Sequence, residues 1–304
     1  MSKCILTNKD KEEILLKSDR FTAKQLAEQY GCSRSTILKI WMDNNYHKQP
    51  GFSYYVNDNY FSIIDTPNKA YVAGLIASDG NLYKRNDERS GQIRLSFKMG
   101  DSEQILLANI MNDMDATNPI KTIRKHNNNK CFNQIATTIV SQQIFDDLCN
   151  MGITQRKTWD MKINDVMAHI PTRFIRDFLR GYFDGDGCIS GTTYRKPSKV
   201  AVNIAMPLVN AELLRSYLSQ IGITSRVSED KRQKYTHQFA RLDFFGVNKY
   251  MFLKWLYYDN CLCLERKKNL SLEYCNLVEN NVTNRAENIR SVEYYEIFMQ
   301  QNDW

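Results

Sequence analysis

The stretch "YVAGLIASDGNL", Tyr71 to Leu82, begins as an apolar helix and stops on an aspartate and a glycine. Further along, "FLRGYFDGDGCI", Phe178 to Ile189, does the same. In the first copy Thr66 suits an N-cap and Pro67 the first helical position. Gly80 is expected to close the helix in the left-handed conformation. Asp79 then falls in the last turn, at the negative end of the macrodipole, where a carboxylate is disfavoured by ~0.3–1 kcal/mol. Asp186, before Gly187, has the same problem. A structural aspartate prefers the other end of a helix, and violations of local rules collect at functional sites.

The residues before each aspartate say how the two helices meet. Gly74 and Ser78 are four apart, as are Gly181 and Gly185, so each helix carries a stripe of small side chains on one face. Packing along these stripes brings the backbones close and sets Asp79 beside Asp186. Two adjacent carboxylates at two helix C-termini repel, and a hard divalent cation such as Mg²⁺ relieves the conflict. Beside DNA phosphates, such a metal activates water and stabilises a leaving oxygen. Asp79 and Asp186, with the adjoining Gly80 and Gly187, form the candidate metal site. A lone Asp-Gly is ordinarily just a turn; two copies at matched positions, each after a small-residue stripe, favour catalysis. Asp184 is a different case. The "DGDG" run resembles the start of a calcium loop, but the twelfth position is Arg195 and the first copy has Ala77 there. Asp184 is read as a local hydrogen-bonding residue.

Around these helices the chain repeats itself. Each apolar helix is followed by a strand, "GQIRLSFK" and then "KVAVNIAM", and by an amphipathic helix, "DSEQILLANIM" and then "NAELLRSYLSQIG". A strand pair and a further helix follow, "SQQIFDDLCNMG" and then "NKYMFLKWLYYD", and each half closes on Arg-Lys, at Arg156-Lys157 and Arg266-Lys267. Matched points lie ~107 to ~110 residues apart, which predicts a tandem duplication with pseudo-two-fold symmetry. The fold class is α/β (α+β), a duplicated αββαββα unit with helices covering one face of each sheet. The boundaries are residues 66–165 for the first repeat and 166–270 for the second. A polar extension at 271–304 carries no functional reading.

The first 45 residues look wholly helical. Thr22 and Gln25 form a capping box, "GCS" makes a tight turn, and Ser33 caps a third helix. Leu26, Ala27, Ile37 and Ile40 supply a small core. The arrangement predicts a helix-turn-helix domain at 1–45 with Arg34, Ser35, Thr36 and Lys39 toward DNA; a ligand-free helical hairpin is the plainer alternative. Residues 46–65, polar and aromatic, read as a linker, whose tyrosines could equally pack back on the main domain.

The chain has 304 residues, a net charge of +7 and a pI near 8.9, an excess that fits a polyanionic partner without proving one. Eight cysteines include no CxxC pair, and His47, His126, His169 and His237 lie far apart, a pattern that argues against a zinc site. Without a signal-peptide pattern or a membrane-length apolar run, the expectation is a soluble, intracellular (cytoplasmic) protein.

"VAGLIASDG" (Val72–Gly80) and "LRGYFDGDG" (Leu179–Gly187) resemble the two signature helices of the LAGLIDADG homing endonucleases. The likeness covers roughly Tyr71 to Asn269 and is nearest to phage and mobile-intron members. It implies a monomer whose halves mimic a homodimer, with the paired helices as interface and active-site floor. It implies sheets lying in the major groove of double-stranded DNA, one acid per half (Asp79 and Asp186) holding divalent metal, and staggered cuts leaving 5′-phosphate and 3′-hydroxyl ends. A basic residue near the metals often assists in that family. The resemblance implies that role for Lys98; Met206 lies near the equivalent place in the second half, and Lys157 and Lys267 are alternatives.

Alternation along "GQIRLSFK" agrees independently. It puts Gln92, Arg94, Ser96 and Lys98 on one face and Ile93, Leu95 and Phe97 on the other. Arg226, Lys231, Arg232, Lys234 and Arg241 form a comparable basic hairpin in the second half. Such faces can pair with base edges and phosphates, although an ordinary solvated face has the same composition. The competing function is a non-cutting scaffold, either a DNA-binding regulator or an intron-RNA maturase. Retention of both acids favours the nuclease.

Overall fold

The chain is described from a computed structural model covering residues 6–46, 54–84, 90–127, 130–191, 196–230, 238–280 and 286–301. Each half runs helix, two strands, helix, two strands, helix. The first comprises α4 (Pro67–Ser78), β1 (Asn81–Tyr83), β2 (Gln92–Lys98), α5 (Asp101–Asp113), β3 (Lys121–Asn127), β4 (Lys130–Val140) and α6 (Gln142–Asn150). Short helices α7 (Lys157–Asp160) and α8 (Ile163–Ala168) lead into the second half. That half comprises α9 (Ile175–Asp186), β5 (Gly187–Ser190), β6 (Ala201–Pro207), α10 (Leu208–Gln220), β7 (Arg226–Glu229), β8 (Phe239–Phe244) and α11 (Val247–Leu256). The αββαββα order therefore occurs twice. Both sheets are antiparallel with the same topology, β1-β2-β4-β3 and β5-β6-β8-β7.

Strand alternation decides which face is inside. Ile93, Leu95 and Phe97 of β2 are buried, as are Val202, Ile204 and Met206 of β6. Helices cover these inner faces, and the opposite faces are left to polar residues. At the centre α4 packs on α9. Residues 70–77 of α4 are buried on every side, as befits a helix enclosed all round. One continuous core joins both halves through this pair.

The register corrects one equivalence. Asn81 pairs with Arg94, while Cys188, the same two residues beyond its aspartate, pairs with Asn203. Four residues on, Lys98 therefore matches Pro207. Met206 matches Phe97, faces inward and is buried.

Helices α1 (Asn8–Lys17), α2 (Ala23–Gln29) and α3 (Arg34–Asp43) have their own core, with Ile14, Ala23 and Trp41 joining the four residues expected. The Thr22–Gln25 capping box and the Ser33 cap both form. This unit docks on the first half. Gln25 Nε2 donates to the Thr117 carbonyl at 3.0 Å, Thr117 Oγ1 donates to the Arg20 carbonyl at 2.9 Å, and Arg20 pairs with Asp115 at 2.7 Å.

Two segments do more than their polar composition suggests. Within the stretch read as a linker, Val56, Tyr60, Phe61 and Ile64 are buried in the main core, because their large apolar area outweighs the polar residues between them. Beyond residue 270, α12 (Glu265–Asn280) and α13 (Ala286–Gln301) also pack on it, burying Tyr274, Cys275, Val278 and Phe298. The spacing of Tyr274, Cys275 and Val278 makes one apolar helix face. No described helix is long and apolar enough to cross a membrane.

Candidate active site at the paired helix ends

Close approach of α4 and α9 depends on glycine. A Cβ on Gly74 would collide with the Phe178 carbonyl oxygen, and one on Gly181 with the Tyr71 carbonyl oxygen. A Cβ on Gly185 would strike Ser78 Oγ and come within 3.3 Å of Asp79 Cγ. The two stripes thus meet as the sequence pattern requires, and the α9 terminus lies against Asp79.

The helix ends differ from expectation in how they stop. Asp79 is itself the C-cap of α4 (φ −96°), and Gly80 is not left-handed. Gly187 caps α9 in extended conformation (φ −79°, ψ 156°). Both glycines are needed for space. A Cβ on Gly80 would meet the Ile76 backbone at 2.7 Å, and one on Gly187 would collide with the Phe183 ring.

Two lysines close the helix ends. Lys157 Nζ donates to the carbonyls of Ala77 (2.8 Å) and Ser78. Lys267 Nζ donates to the carbonyls of Phe183 (2.7 Å), Asp184 (2.8 Å), Gly185 (3.5 Å) and Gly187 (2.6 Å). A cation at a helix C-terminus satisfies orphan carbonyls and the macrodipole together. The Gly187 carbonyl is thereby engaged by lysine. Burial pushes both lysines down to about 8, against the opposing pull of the aspartates.

Those charges surround the carboxyl pair. Burial, then the Asp79 charge, pushes Asp186 up to about 6, while Lys157 and Lys267 pull it back. Burial likewise raises Asp79, against Lys157, Lys267 and Arg266. The Asp79 charge thus opposes ionisation of Asp186. Arg266 reaches across from the second half, bound to Glu103 of α5 through Nε at 2.6 Å. Among the described residues, no group of three or more His, Cys, Asp or Glu side chains gathers to hold a metal. The arrangement offers two carboxyls, and further oxygens must come from water or a ligand.

Asp184 has its hydrogen-bonding role. Fully buried, it accepts from Tyr71 OH (2.8 Å), Tyr257 OH (2.6 Å) and the Leu264 backbone N–H (2.7 Å).

The remaining sequence-derived residues lie elsewhere. Gln92, Arg94 and Ser96 are half-buried and Lys98 exposed on the outer face of the first sheet. Lys98, opposite Gln134, is not among the charges that shift either aspartate. Lys157 and Lys267, the alternatives from the Arg-Lys closing each repeat, are among those charges. Arg226 and Arg241 are exposed on the second sheet's outer face. Lys231, Arg232 and Lys234 fall outside the described residues. Arg34 and Lys39 are exposed on α3. The hydroxyls of Ser35 and Thr36 lie 2.7 and 2.8 Å from Ser33 Oγ, at the N-cap.

Comparison with known proteins adds the family. Residues 173–250, which contain α9 and most of the second half, match the family model for a LAGLIDADG-like domain. This part of the chain is similar to LAGLIDADG-like domains. No curated protein matches the sequence. Similar solved structures include the homing endonuclease I-WcaI bound to its DNA recognition sequence, at 13% identity over 69% of this chain and 90% of that one, TM-score 0.49. The LAGLIDADG meganuclease I-AabMI bound to uncleaved DNA is similar at 9% identity, covering 77% and 98%, TM-score 0.45. The meganuclease I-SmaMI bound to uncleavable DNA is similar at 11% identity, covering 75% and 96%, TM-score 0.43. The LAGLIDADG-like domain carries Asp186 and Lys267's carbonyl partners; Asp79 and Lys157 come from the half before it.

Proposed function

We propose that the chain is an intracellular, site-specific endonuclease that hydrolyses both strands of duplex DNA with a divalent metal, acting as a monomer. The observation that carries this is the Asp79–Asp186 pair, an exposed and a half-buried carboxyl at matched, closely packed helix ends, both with raised proton affinity. A donor set of carboxylate oxygens fits a hard cation, and Mg²⁺ is the assignment. Asp79 and Asp186 would hold it, with backbone at Gly80 and Gly187 adjoining. Bound there, it supplies positive charge to the scissile phosphate and lowers the pKa of a water.

The protein's own residues do the rest. Lys157 and Lys267 pin the helix ends, so the carboxyls hold their separation, and their charge attracts phosphate. Gln92, Arg94, Ser96 and Lys98 on one sheet, with Arg226 and Arg241 on the other, contact phosphates and base edges. Arg34, Ser35, Thr36 and Lys39 on α3 add contacts outside the repeats, as a helix-turn-helix unit does. The domain reading is 1–45 for that unit, 66–165 and 166–270 for the repeats. Intron homing is the biological role such an activity serves.

The test is incubation with a randomised duplex library in Mg²⁺ and sequencing of cut ends, beside Asp79→Asn and Asp186→Asn. Staggered cuts by the wild type alone, abolished by chelation, are expected. Cleavage by Asp186→Asn would overturn the mechanism. Binding without cutting by the wild type would leave a non-cutting regulator.

A further inference from the structure

The outer faces of the two sheets differ in one polar cluster. On the second sheet, Arg241 Nε is 2.8 Å from Asp243 Oδ1, and Ser228 Oγ donates to Asp243 Oδ2 at 2.8 Å. Cross-strand pairing holds the three together: Ser228 faces Arg241 and Arg226 faces Asp243, on β7 and β8. Arg241's side chain is 59% exposed and Asp243's only 16%. The carboxylate is thus sunk in the sheet with both oxygens engaged, while the guanidinium stands out from it.

The atom that makes the bond matters. Asp243 takes Nε, which fixes the guanidinium plane and leaves the two Nη groups for another acceptor. A planar pair of outward donors matches the O6 and N7 acceptors of guanine in the major groove. A carboxylate on a face meant only for phosphates would be a cost, since it repels them. Its presence makes sense if it orients an arginine for a base.

At the matched positions the first sheet has no such device. By register, Asn81–Arg94–Thr138 corresponds to Cys188–Asn203–Asp243, and Ser96–Ala136–Lys121 to Ala205–Arg241–Ser228. Ala136 and Thr138 therefore stand where Arg241 and Asp243 stand. A lysine, Lys121, replaces Ser228.

We propose that Arg241, oriented by Asp243 and Ser228, reads a guanine in the half-site under the second sheet, and that the half-site under the first sheet lacks this requirement. Arg241 is the specificity residue and Asp243 its positioning residue. The inference rests on the DNA-binding part of the function proposed above and not on cleavage.

The experiment selects duplexes from a randomised library by retention on immobilised full-length protein in metal-free buffer. One invariant guanine in one half of the recovered motif is expected. With Arg241→Ala or Asp243→Ala, discrimination at that position falls about ten- to a hundredfold while the rest of the motif persists. Substitution of 7-deazaguanine at that position weakens wild-type binding and leaves Arg241→Ala unaffected. Three results would each overturn the inference. One is a guanine that stays fixed in both variants. Another is uniform weakening across sequences with the salt slope reduced by about one, the mark of a phosphate contact. The third is retention of no duplex, which also removes the DNA-binding reading. Recovery of the guanine by a protein that cuts nothing in Mg²⁺ would support this inference while sinking the endonuclease.

Discussion

The two central helices share a register and a terminal aspartate, yet they are anchored by different physics. Helix α4 presents Ala73 and Ala77 where α9 presents Arg180 and Asp184, both buried. Arg180 donates to the carbonyls of Leu262 (2.9 Å) and Leu256 (3.2 Å) and pairs with Asp177 at 2.8 Å. With Asp184, this binds α9 to the segment 256–264 that follows α11. At the matched positions α4 has only the buried alanines Ala73 and Ala77, which pack through apolar contact. The same skeleton therefore supports its two carboxyls unequally. A duplicated fold can keep its symmetry in the backbone while its halves diverge in how they are held.

The comparison breaks most sharply at the shared interface. Gly74→Ala and Gly181→Ala each drive a methyl into a carbonyl of the facing helix, and each is expected to cost about 3 kcal/mol or more in urea denaturation. Equal losses are expected here, because this contact belongs to both halves.

Asymmetry should appear one step away. Asp184→Ala strands two tyrosine hydroxyls and a backbone N–H, for an expected loss of about 3 kcal/mol. Ala77→Gly, at the matched site, should cost only about 1 kcal/mol. Similar losses would contradict the difference in anchoring.

The carboxyl pair should move stability the other way. A raised folded-state pKa means that the fold holds the proton more tightly than the unfolded chain, so stability is lost as pH rises from about 4 to about 6 for Asp186. In metal-free buffer at pH 7, Asp186→Asn is expected to gain up to about 3 kcal/mol, and to gain nothing below about pH 4. Its DNA cleavage should vanish at the same time.

The lysines offer a finer comparison. Lys267 serves four carbonyls and Lys157 two. Lys267→Met should therefore destabilise more than Lys157→Met, by about 1 kcal/mol. The smallest effect expected is at Arg34→Ala, which should lower the salt slope of duplex binding by about one without altering stability.

Much of this was legible in the residues. Alternation in β2 gave its buried face, the capping residues gave α2, α3 and α4, and the repeated small-residue stripes gave the helix pairing. Asp184 was readable as structural because its counterpart is Ala77. The left-handed reading of Gly80 failed because crowding by Ile76, invisible along the chain, is what demands glycine there. Lys98 was singled out by resemblance to a family, with Lys157 and Lys267 as alternatives, and it is these two that act on the aspartates' charge through space, from the ends of their repeats. Val56 to Ile64 and the C-terminal helices looked polar because averaging along sequence hides a few large apolar side chains that one surface can bury.

Sequence by itself determined the duplication, the element order and which two carboxyls stand at matched helix ends, since these follow from local periodicity and spacing. Only the tertiary structure decided which cations surround those carboxyls, which glycines are required for space, and that Arg241 is held by Asp243. Such facts depend on chain segments far apart in sequence whose separation in space is set by packing.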